Sequence, residues 1–600
     1  MESMRQIFTG ADKNGISNKA MAAPPHLRFK SALHHSLQAE FTPSQDMTLL
    51  SLPLLWAAAG LYIIWRLISA LQAERRFRRF ATSHGCEAVY QAQDQKWPWG
   101  LDRMYKVLTA RKRGMDPLDD YFAWPLYEHP TLQRAGLGGA QNIETIEPAN
   151  VKAILATKFD DWIIGERRHR ALRPCQGHNI FTSDGAFWQH SRALLRPQFA
   201  RELVNDLEAT EKATHTLFEA FGPVDEDGWT ELQDVKPMLL RFVLDTATSF
   251  LFGESVESQR ALMTSKTGDN DDCDADTGRL AGSNEFAEAF DESSYYMVTR
   301  IRLQQLYFLS NTKHFKKAIA VFKSLPNRIV NQRLQQQQQH EAAKVTPSEP
   351  KQKSKFDLLS SLMQHTKDET ELRDQTLGVL FASRDTTSSL ILWTLLLLGQ
   401  HPPIYHKLRR LVTATFPPSV APPEEAEPAP LDFTSLKSCR YIQHVLHETL
   451  RLYQPVPLNS RVAVRDTVLP VGGGAEGTRP VAVRKGQQVL WNIYAMHRRP
   501  DLWGDDALEF RPERWEDPHG SRLVGGGFAF TPFSAGPRIC LGQQYALTEA
   551  GYWLVRFVQK YDRIELDPQS EAAKQGRVKK TIGLTLAPVE VRLRVHEAGL

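Results

Sequence analysis

Cysteine is the residue type with the most distinctive chemistry in this sequence. The five cysteines are Cys86, Cys175, Cys273, Cys439 and Cys540. They lie far apart without a CxxC pair, which argues against a disulfide scaffold or a structural zinc site and is typical of a reducing compartment. A single cysteine is usually only a small buried apolar residue. Its neighbours decide whether it can act as a metal ligand.

Cys540 lies in the stretch FSAGPRICLG, directly before the helical pattern QQYALTEAGYWLVRFV. A thiolate that ligates iron needs its negative charge stabilised, and backbone N–H groups of a glycine-containing loop and a helix N-terminus can provide this. Gly536 permits the turn, Gly542 lets the helix pass close to a flat ring, and Arg538 can meet a haem propionate. Phe533 can pack near the sulfur and tune the iron potential. The stretch therefore suits Cys540 as a thiolate ligand of iron.

The same stretch resembles the cysteine loop of cytochrome P450 enzymes, FxxGxRxCxG, at every fixed position. The resemblance covers roughly residues 75–600. It implies a mainly α (α+β) cytochrome P450 fold and an iron protoporphyrin IX cofactor with an axial cysteine thiolate. The strings RVAVRDTVLPVGG and VAVRKGQQVLWNIYAMH also predict a small β-rich region beside a large helical body.

Glu448 and Arg451 in ETLR share one helix face, which on its own is usually a weak surface pair. In the family that the chain resembles, this pair is buried and linked to an arginine from a later loop. Arg514 of FRPERW matches that arginine. Because FRPERW lies between ETLR and the cysteine loop, the resemblance implies a structural triad of Glu448, Arg451 and Arg514.

WQHSR matches the family's WxxxR pattern, which places Trp188 and Arg192 on one side of a helix. By resemblance, both residues contact haem propionates, and Arg461 resembles a further propionate partner. The alternative interpretation is that all three are ordinary residues of amphipathic elements.

A further segment, ASRDTTSSLILWTLLLL, lies in a long apolar run that predicts a central buried helix. By resemblance to the family pattern (A/G)GxDTT, Asp385 and Thr386 form the acid–alcohol pair that delivers protons while bulk water stays out. The alternative is that Thr386 only relieves a mid-helix kink by bonding its hydroxyl to the backbone. Ser383 stands where the family usually has glycine, which puts the shape of the oxygen groove in question.

Residues 47–71 are predicted to form a transmembrane anchor. The stretch Met47–Trp65 carries no charge, and its 19 residues cover about the thickness of the bilayer hydrocarbon as a helix. Arginines dominate the flank after the span, so the positive-inside rule places the C-terminal body in the cytosol. We therefore expect a single-pass protein of the endoplasmic reticulum membrane, with a polar extension at residues 1–46 and a cytosolic catalytic domain at residues 72–600.

Composition and charge exclude some partners and predict surface loops. The net charge is +4, which is too balanced to indicate nucleic-acid binding. Three acidic, glutamine-rich or proline-rich stretches are predicted to be solvated loops, at residues 267–277, 335–355 and 417–430.

The leading functional hypothesis is a monooxygenase that inserts one atom of O2 into a C–H bond of a lipophilic small molecule. The family resemblance implies NADPH–cytochrome P450 reductase as partner, and the sequence has no Rossmann-type GxGxxG context or flavin domain of its own. A thiolate-haem isomerase or dehydratase, and a membrane-anchored haem sensor or carrier, are the alternatives. Asp385 and Thr386 favour the monooxygenase, because isomerase chemistry does not need a proton relay.

Within the superfamily the chain is most similar to fungal alkane and fatty-acid ω-hydroxylases, through strings such as IFTSDGAFWQHSRALLRPQFAR and ETLRLYQPVPLNSR. This implies oxidation of the terminal region of a long alkyl or fatty-acyl chain. Such a reaction requires a narrow apolar channel, and we expect Leu377–Phe381 and Phe181–Phe187 to lie near it. Tailoring of a polyketide or terpenoid in fungal secondary metabolism is the alternative, because one fold hosts many specificities.

Overall fold

The computed structural model describes residues 45–599 apart from ten gaps. The gaps are residues 94–96, 98–99, 111–114, 137–138, 200–206, 268–281, 343–356, 418–430, 519–526 and 576–577. The predicted polar extension and the surface loops predicted at residues 267–277 and 417–430 lie wholly or largely outside the described residues, so they stay predictions. The loop predicted at residues 335–355 was wrong at its start, because residues 335–342 continue the helix Lys313–Ala342 through the glutamine run, and glutamine is a good helix former.

The chain divides into two units, residues 1–76 and 77–600. Helix α1, Gln45–Ser83, contains a segment from Leu54 onward that is long and apolar enough to cross a bilayer. Its apolar side chains are exposed, which fits the predicted single anchor. The helix continues past residue 71, because the arginine-rich stretch that follows has good helix formers and no breaker. The domain boundary at residues 71–72 therefore stays a prediction.

Helices form most of the second unit. In chain order, with α2 as the first, they are Leu101–Thr109, Trp124–Glu128, Pro148–Lys152, Glu166–Gln176 (α5), Gly185–Leu195 (α6), Glu208–Ala220, Lys236–Phe252 (α8), Ser258–Thr267, Ser283–Leu303 (α10), Lys313–Ala342 (α11), Leu358–Leu362, Glu369–Gln400 (α13), Pro402–Thr415, Phe433–Ser438, Arg440–Leu452 (α16), Ile493–Met496, Pro500–Trp503, Gln543–Lys560 (α19) and Glu571–Gln575 (α20).

In the part of the chain that the structure describes, short strands form four small sheets. The strands β1 to β13 are Tyr90–Gln91, Thr131–Ala135, Gln141–Thr145, Trp162–Ile163, Gln233–Asp234, Leu458–Ala463, Thr467–Gly473, Arg479–Val483, Gln488–Asn492, Tyr561–Leu566, Lys580–Ile582, Leu586–Pro588 and Arg592–Glu597. The largest sheet has the order β1-β2-β3-β9-β6-β4, with β6 antiparallel to β9. The smaller sheets are β10-β13-β5, β11-β12 and β7-β8.

Helix α13 lies at the centre of the core. Asp368 caps its N-terminus by accepting a hydrogen bond from Glu371 N, and the helix ends at Gln400 because two prolines follow His401. It packs against α8, α11, α16 and α19, and most of its side chains are buried. An apolar helix surrounded by other helices is what the sequence predicted.

Candidate active site

A tight loop holds Cys540 between a 3₁₀ turn, Gly536–Arg538, and the start of α19. The Cys540 backbone N–H donates to Phe533 O at 3.0 Å, and Ile539 N–H donates to Gly536 O at 3.0 Å. Ser534 and Gly536 both have positive φ, at 63° and 66°. The loop therefore fixes the cysteine backbone through its own hydrogen bonds, at the cost of an unusual conformation for Ser534.

The two glycines of the loop meet different constraints. A Cβ added at Gly536 would lie 1.9 Å from Leu155 O, so no side chain fits there. A Cβ added at Gly542 would meet only the Phe199 ring, at 3.6 Å. Protein contacts therefore require glycine at Gly536. Gly542 leaves open space beside the start of the helix.

The Cys540 sulfur lies in a mixed electrostatic environment. Its side chain has accessible surface, yet protein atoms crowd around the sulfur, and this burial raises the pKa of the thiol. A hydrogen bond from the Gly542 backbone and the charge of Arg192 act in the opposite direction. A bound cation would stabilise the thiolate further, since metal binding and thiol deprotonation are coupled.

Helix α6 brings two predicted residues to this loop. Arg192 donates through Nη1 to Ile539 O at 3.0 Å, and its guanidinium lies 6.0 Å from the centre of the Trp188 ring. The guanidinium of Arg538 lies 4.3 Å from the same ring. The structure therefore gathers Trp188, Arg192 and Arg538 beside the cysteine loop.

The Asp184 carboxylate is held by Arg538 and His169. Arg538 Nη2 lies 2.6 Å from Asp184 Oδ1, and His169 Nε2 lies 3.1 Å from Asp184 Oδ2. Although burial alone raises the pKa of Asp184, bonds from His169 and two backbone N–H groups, together with the charge of Arg538, lower it to about 2. The carboxylate is therefore ionised and already committed to protein partners.

Two further arginines, Arg168 of α5 and Arg461 of β6, share a neutral acceptor, and Arg461 also donates through Nη1 to Ser460 O at 2.8 Å. Arg168 Nη1 donates to Asn459 Oδ1 at 3.0 Å, and Arg461 Nη1 donates to the same oxygen at 3.2 Å. Burial, followed by the charges of Arg168 and Arg538, lowers the pKa of Arg461 to about 9. We refer to Arg168, Arg461 and Arg538 as the arginine cluster. Its positive charge exceeds the single carboxylate of Asp184 that opposes it.

The predicted acid and alcohol lie in the middle of α13. Thr386 Oγ1 donates to Ala382 O at 2.6 Å, and Ser383 Oγ donates to Leu380 O at 3.2 Å. The Thr386 hydroxyl is thus bonded to the helix backbone, as the structural alternative expects, and it must rotate to donate elsewhere. The Ser383 hydroxyl is also bonded to the backbone.

Asp385 interacts with two charged residues that the sequence interpretation did not select. Arg384 Nη1 lies 3.5 Å from Asp385 Oδ1, and Arg384 Nη2 lies 2.5 Å from Asp291 Oδ1 on α10. Burial is the main cause that raises the pKa of Asp385, and Asp291 adds to it while Arg384 opposes it. The sequence did contain a signal for Arg384, because it is a charged residue next to Asp385 in an otherwise apolar run. Asp291 gave none, because it is distant in sequence.

The predicted triad is assembled in the core. Arg451 Nε and Nη2 donate to the two carboxylate oxygens of Glu448 at 2.9 and 2.8 Å, and Arg514 Nε donates to Glu448 Oε1 at 3.3 Å. All three are buried, so the interpretation of Glu448 and Arg451 as a weak surface pair is wrong. Arg451 also donates to the carbonyls of His497 and Ala507, which connects α16 to the segment that precedes the cysteine loop.

A cavity of ≈ 2390 Å³ lies between α10, α13 and the β11-β12 hairpin. Asp385 and Asp291 contribute to its wall, as do several apolar side chains, including Leu240, Val298, Leu392, Leu584 and Val589. The segments predicted near the channel, Leu377–Phe381 and Phe181–Phe187, do not line it. Phe381 instead packs in the core, with its ring 4.8 Å from those of Phe290 and Phe322.

A family model for cytochrome P450 matches residues 133–594. The chain belongs to the cytochrome P450 family. This P450 is 36% identical over 514 residues to cytochrome P450 monooxygenase g430 of Fusarium sp, with 85% of each chain covered. It is 41% identical over 429 residues to cytochrome P450 52A5 of Candida maltosa, across 72% of this chain and 76% of the relative.

A solved structure supports the fold. The haem domain of cytochrome P450DA superposes with a TM-score of 0.64 at 21% identity, covering 86% of this chain and 98% of that chain. The predicted superfamily and the mainly α fold are confirmed, as are the monooxygenase class and a haem cofactor with a cysteine thiolate. The isomerase and the haem sensor are therefore set aside.

The residues around Cys540 fit a haem on two observations. The arginine cluster carries positive charge that the described residues do not neutralise, and a haem carries paired propionates that match it. Within the same described residues, the buried Nε of Arg538 has no hydrogen-bond partner. A buried donor without an acceptor is costly unless a ligand satisfies it. Arg168, which the sequence interpretation missed, belongs to this group.

Proposed function

We propose that this P450 hydroxylates the terminal region of a long alkyl or fatty-acyl chain, with electrons from NADPH through cytochrome P450 reductase. The observation that carries the proposal is that Asp385 lies in the wall of a large cavity with aliphatic side chains beside it. An apolar wall next to the acid suits a substrate without polar groups at the carbon attacked. The resemblance to fungal ω-hydroxylases supports the same substrate class.

The haem, when bound, supplies the iron at which dioxygen is reduced. Cys540 is the proposed ligand, since its loop fixes the cysteine backbone and the residue keeps accessible surface. Trp188, Arg192 and the arginine cluster are the proposed partners of the propionates, and Phe533 is the proposed neighbour of the sulfur. Gly542 provides room for the ring at the start of α19.

The chain's own residues can move protons on the cavity side. Asp385 holds a proton more readily than an exposed aspartate, because burial raises its pKa. We propose that it holds a proton for the neighbouring Thr386 hydroxyl, which would leave Ala382 O and donate that proton on the side where the haem would bind. We propose that an apolar substrate bound in the cavity displaces bulk water from this end, which suppresses unproductive loss of reducing equivalents.

A separate reductase and a membrane location belong to the same proposal. Helix α1 is apolar over the length of a bilayer, and arginines follow the span. We propose an anchor at residues 47–71 in the endoplasmic reticulum membrane, with residues 72–600 in the cytosol where the reductase docks.

The direct test is incubation of the full-length protein with NADPH, reductase and a panel of medium- to long-chain fatty acids and alkanes. We expect a substrate-induced spin shift and products hydroxylated at the terminal region. Products confined to internal carbons, or a shift produced by a fused-ring compound and by none of the chains, would contradict the proposal.

The proton route is tested with Thr386→Ala, using Thr386→Ser as the matched control. We expect the alanine variant to keep its haem spectrum while it diverts NADPH to hydrogen peroxide, because the relay hydroxyl is absent. The serine variant retains a hydroxyl, so we expect it to keep most of its coupling. Equal coupling of NADPH use to product in all three proteins removes Thr386 from the relay.

A further inference from the structure

Arg302 stands in the last turn of α10, at the rim of the cavity. Its guanidinium donates through Nη2 to the carbonyl oxygen of Ile582 in β11, and both residues contribute to the cavity wall. The residue is exposed, so the guanidinium remains open to the cavity and to solvent. Among the residues that the structure describes, no carboxylate pairs with Arg302.

Two other cations in the same wall, Arg300 and Lys580, are bound by the protein itself. Arg300 donates to Asn311 Oδ1 at 2.6 Å and is fully buried, and Lys580 lies 2.7 Å from Asp119 Oδ2. Because the protein acceptor of Arg302 is a neutral carbonyl, an anion on the cavity side would stabilise the charge of its guanidinium. Arg302 thus differs from these two cations in having a neutral acceptor and unused donors.

The positions of Arg302 and Asp385 set the distance between the two ends of the proposed site. Ser294 of α10 lies beside Asp385, and Arg302 follows it eight residues later on the same helix. Eight residues of α-helix rise by ~12 Å. The wall along this part of α10 includes Val298, and Leu584 lines the cavity from the hairpin. An anion at Arg302 is thus separated from the Asp385 end of the cavity by a distance that suits an extended alkyl chain.

We propose that Arg302 binds the carboxylate of a long-chain fatty acid and thereby directs the methyl end of the chain toward the Asp385 end of the cavity. The carboxylate replaces Ile582 O as the acceptor of the guanidinium N–H groups, and no covalent step is involved. The inference rests on the proposed function and narrows its substrate class from alkyl chains in general to fatty acids. A charged hydrogen bond at the rim fixes one end of the chain, and the apolar wall accepts the rest.

The test compares two ligands and three substitutions in the full-length holoenzyme. The ligands are a long-chain fatty acid and its methyl ester, which have the same chain and differ in charge. We expect Arg302→Gln to weaken binding of the acid about tenfold, measured by the spin shift, and to leave the ester unchanged. Arg302→Lys keeps a cation and should retain most of the affinity. Lys485→Gln removes another exposed cavity cation and should change neither ligand.

The product pattern provides a second readout. With the acid as substrate, we expect Arg302→Gln to lose preference for the terminal carbon, while products from the ester stay the same. Equal affinity of the wild type and Arg302→Gln for the acid, or a loss confined to Lys485→Gln, overturns the role of Arg302 alone. Failure of the wild type to bind either ligand overturns the proposed substrate class and this inference together. An intact carbon monoxide spectrum in each variant shows that the haem site is preserved.

Discussion

Two buried groups of arginines in this molecule differ in how their charge is balanced. Around Glu448, the guanidinium groups of Arg451 and Arg514 meet a carboxylate and several backbone carbonyls at hydrogen-bonding distance. In the arginine cluster, Arg168 and Arg461 share one amide oxygen. The first group is complete without a ligand. The second carries unbalanced positive charge, and we infer that this difference separates structural arginines from cofactor-binding ones.

The strongest way to sharpen this contrast is to remove the proposed iron ligand. Cys540→Ser lacks a thiolate donor, so we expect complete loss of the thiolate-type carbon monoxide difference spectrum and of activity. The Glu448 triad is untouched, so the protein should still fold, which circular dichroism can verify. Cys439→Ser, at another buried cysteine, is the matched control and should keep the spectrum. A normal spectrum in Cys540→Ser contradicts the assignment.

A substitution in the charge-balanced group around Glu448 should lower the stability of the fold. Glu448→Gln leaves the buried guanidinium of Arg451 without its carboxylate, whereas Arg514 keeps Asp506 at 2.7 Å. Loss of one partner of a buried ion pair typically costs ~3–5 kcal/mol. We expect a large drop in the free energy of unfolding, measured by urea denaturation, together with poor expression. Glu565→Gln removes the partner of Arg594 in a half-exposed pair, where the cost should stay below ~1 kcal/mol. Equal stabilities of the two variants contradict a structural role for the triad.

Glu549 on α19 is a buried charge that belongs to neither group. It is 2% exposed, and neither carboxyl oxygen has a geometric hydrogen bond in the described residues. Burial raises its pKa to about 7, and only Thr246 opposes this. The folded state therefore favours the protonated form, so its contribution to stability is present at low pH and is lost as the pH rises from about 4.5 through about 7.

We expect Glu549→Gln to stabilise the protein increasingly over this pH window. A shift of this size corresponds to at most ~3 kcal/mol above pH 7, since each pKa unit is worth about 1.4 kcal/mol. The measurement is the difference in the free energy of unfolding between variant and wild type at pH 5 and pH 8. A difference that is the same at both pH values shows that Glu549 does not titrate in this range.

How well a feature could be predicted from the sequence depended on how far apart along the chain its interacting residues lie. The cysteine loop was predictable because Phe533, Gly536, Arg538 and Cys540 lie within one short stretch, and the fold followed from the family resemblance. Arg168 was missed because its shared acceptor, Asn459, is 291 positions away and only the folded chain brings the two together.

A second limit on prediction from the sequence is the assignment of helix faces. The segment Leu377–Phe381 is wholly apolar, so its sequence does not tell which side of α13 faces a cavity and which faces the core. The structure packs Phe381 against Phe290 of α10. Asp385, only four residues later, lies in the cavity wall. The prediction for this segment was wrong because an apolar run has no periodicity from which to assign its faces.

The smallest expected effect tests the contrast most directly, because it should separate haem binding from folding. In the folded protein, burial and the neighbouring arginines lower the pKa of Arg461 to about 9, which means that its charge opposes folding when no anion is bound. Arg461→Gln removes that charge and keeps a side chain that can hydrogen bond. We therefore expect the haem-depleted variant to be as stable as the wild type or slightly more stable in urea.

The same substitution should weaken haem retention, because the propionates lose a cationic partner. We expect transfer of haem from Arg461→Gln to an excess of apomyoglobin to be faster by about tenfold, which corresponds to ~1.4 kcal/mol. Arg594→Gln is the control, since Arg594 lies in a half-exposed pair in the sheet β10-β13-β5 and should change neither quantity. If Arg461→Gln instead loses stability without haem and retains haem normally, then Arg461 is a structural arginine like Arg451. The imbalance of charge would then not distinguish the two groups.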